Sequence, residues 1–96
     1  MSRVEDAKKI LSEVKHPEIN ASLVELGMIG NIEDVGDKLI IELKLPFPGV
    51  PILGMLTDLI VSSLKKNGME AEVKTGVMSD DERNQFMRIE NEKWAL

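Results

Sequence analysis

Leu39-Ile40-Ile41-Glu42-Leu43-Lys44-Leu45 runs into Pro46-Phe47-Pro48-Gly49-Val50-Pro51 and then into a long stretch from Ile52 to Lys66. In the first segment Leu39, Ile41, Leu43 and Leu45 alternate with Ile40, Glu42 and Lys44, the period of a strand with one buried face. In the last, Ile52, Leu53, Leu56, Leu59, Ile60 and Leu64 recur at helical spacing, a stripe wide enough to need a sheet beneath it. The prolines between them deny ladder donors and predict a rigid loop. Pro51 suits the first helical position, and Lys65 and Lys66 suit the negative end of the helix dipole. Gly68 is the expected left-handed stop, with Met69 folding back on the last turn. Met69, Ala71, Val73 and Thr75 then alternate with Glu70, Glu72 and Lys74, a third half-buried strand. Strand, helix and strand in this order make a β-α-β step.

Upstream, Met28 to Val35 reads as a strand weakened by Gly30, and Gly36-Asp37 is a Gly-first hairpin signal. A first helix is expected over Arg3–Lys15, opened by the capping-box pair Ser2 and Glu5. Val4, Ala7, Ile10, Leu11 and Val14 form its apolar stripe, and Pro17 ends it at His16. A short turn of helix over Ala21–Leu26 precedes Gly27. Downstream, Ser79 and Glu82 are a second capping-box pair, with Asp80 and Asp81 where the dipole favours negative charge. Phe86, Ile89 and Trp94, with Met87 adjacent, give this last helix, over 79–96, an apolar edge. The order is α-β-β-α-β-α. It predicts an α+β, two-layer domain, a three-stranded sheet with helices mainly on one face.

The chain has 96 residues, enough for one domain spanning 1–96. It carries 12 Lys+Arg against 17 Asp+Glu, a net charge of -5, which disfavours nucleic acid as a partner. No apolar run has the length of a membrane span and no signal-peptide h-region opens the chain, so a cytoplasmic address is expected. Zero cysteines remove disulfides, a thiol nucleophile and thiolate ligation of zinc or an iron–sulfur cluster. One His and no Tyr leave only carboxylates, Lys and hydroxyls for catalysis. The expectation is a protein that is not an enzyme and has no catalytic residues, metal or cofactor.

Three stretches taken together carry a family resemblance. His16-Pro17-Glu18-Ile19 is followed by Leu23-Val24-Glu25-Leu26-Gly27-Met28-Ile29, and then by Leu43-Lys44-Leu45-Pro46-Phe47-Pro48-Gly49-Val50-Pro51. Between about Val4 and Val77 the chain resembles the PaaD/SufT-like family of iron–sulfur cluster assembly domains. That family's pattern is D-P-E-I, then V-x-L-G-L-V, then T-x-P-G-C-P, and the domain also occurs at the N-terminus of ApbC/Mrp-type ATPases. The resemblance implies a compact α+β domain that helps mature iron–sulfur proteins without turnover of its own. The family's reactive Cys maps onto Val50, its Asp onto His16 and its Thr-like residue onto Pro46. The Trp-containing segment common after the third strand is replaced by Val77-Met78-Ser79-Asp80-Asp81-Glu82. Val has no lone pair and no titratable proton, so this chain cannot ligate iron there.

The resemblance therefore implies an adapter that docks assembly or client proteins through Glu18, Glu25, Leu26, Gly27, Pro48, Gly49, Val50 and Pro51. The alternative is a structural or regulatory dimerisation module, since an open sheet edge suits a homodimer. His16 with Glu18 gives a metal too few ligands, and an exposed His interacting with a helix C-terminus is expected instead. Gly27-Met28-Ile29-Gly30 has G-x-x-G spacing but no basic neighbour for RNA phosphates. Asp80-Asp81-Glu82 is explained by capping. The six Met residues are expected to be core filler, with an exposed patch the alternative.

Overall fold

A computed structural model describes residues 2–93. Its elements follow the predicted order: α1 (Arg3–Leu11), β1 (Ile29–Asp34), β2 (Leu39–Leu45), α2 (Leu53–Lys66), β3 (Ala71–Val77) and α3 (Asp80–Lys93). The sheet is open and mixed, in the order β1-β2-β3, with β1 antiparallel and β3 parallel to the central β2. The alternation in β2 has the expected consequence. Leu39, Ile41, Leu43 and Leu45 are buried, and Ile40, Glu42 and Lys44 lie half-buried on the other face. Ala7 and Leu11 of α1 and Leu56, Ile60 and Leu64 of α2 join the buried β2 residues in one apolar cluster, so both helices cover the same face.

Local chemistry sets several boundaries. Ser2 Oγ accepts the Glu5 N–H at 3.0 Å and opens α1. The helix then ends at Leu11, not at Lys15 as the periodicity predicts. The backbone beyond it has other partners: Val14 O accepts from Leu23 N–H at 2.9 Å, and His16 N–H donates to Ala21 O at 3.0 Å. These two rungs bracket a loop that holds His16 to Ala21. The helical turn expected over Ala21–Leu26 is a single hydrogen-bonded turn, closed by Leu26 N–H on Ser22 O at 3.0 Å. Residues 69–77 are shifted as well. Met69 belongs to the closure of α2, its N–H reaching Leu64 O at 3.0 Å while Gly68 N–H reaches Lys65 O at 3.0 Å, and β3 begins two residues later. Thr75, on the face predicted to be buried, is exposed.

Strand β1 starts at Ile29, one residue after the predicted Met28, and its register with β2 breaks between Ile29 and Ile32. At this bulge Glu42 lies across the strand, its Oε1 accepting Asn31 N–H at 3.1 Å. A Cβ on Gly30 would stand 2.0 Å from that oxygen, so glycine leaves room for the carboxylate. The hairpin closes as expected around Gly36-Asp37, with Val35 N–H on Lys38 O at 3.1 Å. Pro51 is not the first helical residue; it lies in the turn before Ile52, which caps α2 without a side-chain bond.

Helix α3 opens with a complete capping box. Ser79 N–H donates to Glu82 Oε1 at 2.9 Å and Glu82 N–H donates to Ser79 Oγ at 3.2 Å. It crosses the C-terminal end of β2, where Arg83 Nε donates to Pro46 O at 2.8 Å and Lys44 meets Glu82 at 2.5 Å. At its far end Lys93 O accepts the Asn20 N–H at 2.7 Å. Phe86 is buried, Ile89 packs on the core and Met87 is exposed, whereas the predicted Trp94 lies outside the described residues. The methionines divide: Met28 and Met78 are core, Met69 packs against it, and Met55 and Met87 are exposed.

Candidate functional site

The loop between β2 and α2, the His16–Ile19 turn and the inner side of α3 converge on one cleft. It has a volume of about 250 Å³ and is lined by His16, Glu18, Met28, Pro46, Phe47, Val50, Pro51, Ile52, Phe86 and Glu90. Each wall has a local cause. Pro46 is buried and its carbonyl is held by Arg83, which anchors the start of the loop to α3. Gly49 then turns the chain with φ 78, a left-handed conformation that a side chain would strain, and Val50 O accepts the Leu53 N–H at 3.2 Å. Phe47 stands 55% exposed at the rim.

His16 is not the exposed helix-end residue that its position after Val14-Lys15 suggests. It is 8% exposed, and its Nδ1 accepts the Glu18 N–H at 3.0 Å. Asp or Asn side chains make the same contact with the N–H two residues on, so imidazole here takes over the acceptor role available to the Asp of the family pattern. Burial lowers the His16 pKa, against the opposing charge of Glu18. With Nδ1 an acceptor, the neutral ring carries its proton on Nε2. Nε2 bonds to no described residue, yet no buried side-chain nitrogen or oxygen among the described residues lacks a partner. Nε2 is therefore an accessible donor on a residue that lines the cleft.

That tautomer bears on metal chemistry. A neutral imidazole ligates through its unprotonated nitrogen, and here that nitrogen is occupied by Glu18 N–H. Iron–sulfur clusters are held mainly by Cys thiolates. The chain has none, and Val50 lines the cleft where a thiol would face it. Among the described residues no group of three or more His, Cys, Asp or Glu is placed to hold a metal ion. The residues present do not fit a resident cluster.

The structure separates the sequence-predicted residues. Glu18, Val50 and Pro51 line the cleft, and exposed Pro48 and Gly49 form the loop beside it. Glu25, Leu26 and Gly27 do not line it. Leu26 is buried in the core, Glu25 pairs with Lys93 at 3.3 Å, and Gly27 forms the turn that leads into Met28. Met28, Phe47, Phe86 and Glu90 were not among the predicted site residues. Only the tertiary fold brings the α3 pair to the loop; the i, i+2 spacing of His16 and Glu18 was the one local signal.

Residues 4–77 match the family model described as an iron-sulfur cluster assembly protein. The chain belongs to that family. Membership ties this iron–sulfur cluster assembly domain to the assembly process, and the match ends where α3 begins. Its fold is similar to a domain of unknown function, DUF59, from Bacillus anthracis, with a TM-score of 0.71 and 20% identity over 88% of this chain and 89% of that one. A second structure, Rv1466 from Mycobacterium tuberculosis, a protein associated with Fe-S complex assembly and repair, aligns at a TM-score of 0.46 and 20% identity over 90% and 82% of the two chains. No curated protein gives a significant sequence match. No described helix is long and apolar enough to cross a membrane.

Proposed function

We propose that this chain is a non-enzymatic adapter in iron–sulfur protein maturation. It docks a cytoplasmic assembly or client protein through the cleft and the Pro48–Pro51 loop, and any cluster is held by the partner's thiolates. One observation carries this reading: the family match spans the loop that forms this chain's cleft, and Val50 lines that cleft where the family pattern has its thiol. Phe47 at the rim supports it, because an exposed aromatic beside an apolar cleft is the usual anatomy of a docking anchor. Copurification with tagged wild-type chain and with Phe47→Asp tests it. Assembly or client proteins should accompany the wild type and be lost from the variant, whose melting temperature should hardly change. Equal recovery by both, or recovery of the chain alone, would sink the reading.

A second reading, a dimerisation module, has its own supporting observation. β3 is an edge strand, and no backbone hydrogen bond crosses its outer side among the described residues. Antiparallel self-pairing with a two-fold at Val73 sets Glu72 of one copy opposite Lys74 of the other. Sedimentation of wild type and Lys74→Glu separates the readings: a dimer that the variant abolishes favours the module, and a monomer removes it.

A further inference from the structure

The cleft is chemically one-sided. Its floor is apolar, formed by Met28, Val50, Ile52 and Phe86, yet Glu18 and Glu90 also line it. Neither carboxylate has an ion-pair partner among the described residues. Of the basic residues of α3, Arg83 is held by Pro46 O and Asp80, Lys93 by Glu25, and Arg88 is exposed and does not line the cleft. The third polar group is His16, a cleft-lining residue more than nine-tenths buried, whose accessible Nε2 is unpartnered among the described residues. An acidic rim alone would be an ordinary solvated surface. An accessible donor on a buried ring fixed in one tautomer beside it makes a built site. At about 250 Å³ the space is below the ~300–1,000 Å³ of typical small-molecule sites. It suits side chains of a macromolecule.

We propose that the cleft receives a segment of a partner protein in which an apolar residue is followed by Arg or Lys. The apolar side chain packs on Met28, Val50 and Phe86, and the basic stem crosses the apolar floor with its head toward Glu18 and Glu90. A backbone carbonyl of the segment accepts from His16 Nε2–H. The inference rests on the docking reading and adds the chemistry of the partner. Charge complementarity selects the occupant: the chain's net charge is -5 and both free rim groups are carboxylates, so an acidic segment is repelled.

The probes are two capped tetrapeptides, acetyl-Ala-Leu-Arg-Ala-amide and its Glu counterpart, titrated into the isotope-labelled chain and followed by amide chemical shifts. The Arg peptide should move the signals of Glu18, Val50 and Glu90 and of the His16 ring, and the Glu peptide should not. The Glu18→Gln/Glu90→Gln double variant should bind the Arg peptide about two- to thirtyfold more weakly, the sum of two exposed charge pairs. Equal response to both peptides, no response to either, or undiminished binding by the double variant would overturn the inference. The two levels fail separately. If the double variant still copurifies partners that Phe47→Asp loses, docking stands and the basic segment is wrong. If Phe47→Asp keeps its partners while the Arg peptide still binds, the docking reading is wrong.

Discussion

Truncating Phe86 to Ala removes the one buried side chain of α3 and the inner wall of the cleft. The ring is 5% exposed and belongs to the core cluster, so its loss is a buried large-to-small change costing about 3–5 kcal/mol. Beyond it α3 is held by polar contacts, Arg83 on Pro46 O, Lys44 on Glu82 and Asn20 N–H on Lys93 O, with no second fully buried side chain. Ile89 is only partly buried, and the Lys93–Glu25 pair, at 44% and 47% side-chain exposure, is of the kind that contributes little. At about 4–8 °C per kcal/mol for a domain of this size, Phe86→Ala should lower the melting temperature by at least ~12 °C. Phe86→Leu, which keeps a branched apolar side chain and leaves a smaller void, should cost clearly less than Phe86→Ala. Thermal and denaturant unfolding followed by circular dichroism give both values. A cost under about 1 kcal/mol for Phe86→Ala would refute the packing of α3 against the loop, and the cleft with it.

Gly49→Ala should cost about 1–2 kcal/mol from its left-handed backbone alone, since nothing lies within 4 Å of the added Cβ. Gly54→Ala, equally unobstructed but at the start of α2, should instead gain about 0.5 kcal/mol; denaturant midpoints read both. Buried neutral His16 binds its proton less readily in the folded chain than in the unfolded one, where the value is near 6.5. Its contribution is therefore intact above that pH and is lost as pH falls through it toward the lower folded value. His16→Asn keeps an acceptor for Glu18 N–H and should flatten that part of the stability–pH curve, measured against wild type. Glu82, held down to about 2 by the Lys44 hydrogen bond and the Ser79 cap, contributes stability above the ordinary carboxylate value that is lost as pH falls toward 2. Lys44→Met should raise the Glu82 value, with the cap keeping it below normal, as read from its carboxyl carbon shift.

Wherever side-chain period and backbone chemistry agree, the fold is legible in the chain. The β2 alternation, the α2 stripe, the turn closure around Gly68 and the Ser79–Glu82 box are all local signals, and all four are realised. The misplaced boundaries lie where distant backbone competes. Val14 continues the helical pattern of α1, but its carbonyl accepts from Leu23 N–H, and just beyond it His16 N–H donates to Ala21 O. The cleft was half legible. The motif order marks Glu18 and the Val50–Pro51 loop, and nothing local announces that Phe86 and Glu90, well downstream, will face them. His16 was misread because a polar residue after a helix is usually solvated, and its acceptor bond to Glu18 N–H exists only once the turn has formed.

Anaerobic reconstitution of the isolated chain with ferrous iron and sulfide, followed by desalting and absorption spectroscopy, most directly tests docking without cluster carriage. With Val50 in the place of a thiol and His16 donating through Nε2, the desalted chain should retain neither iron nor sulfide and show no charge-transfer bands. Stoichiometric iron and sulfide retained with those bands would contradict it.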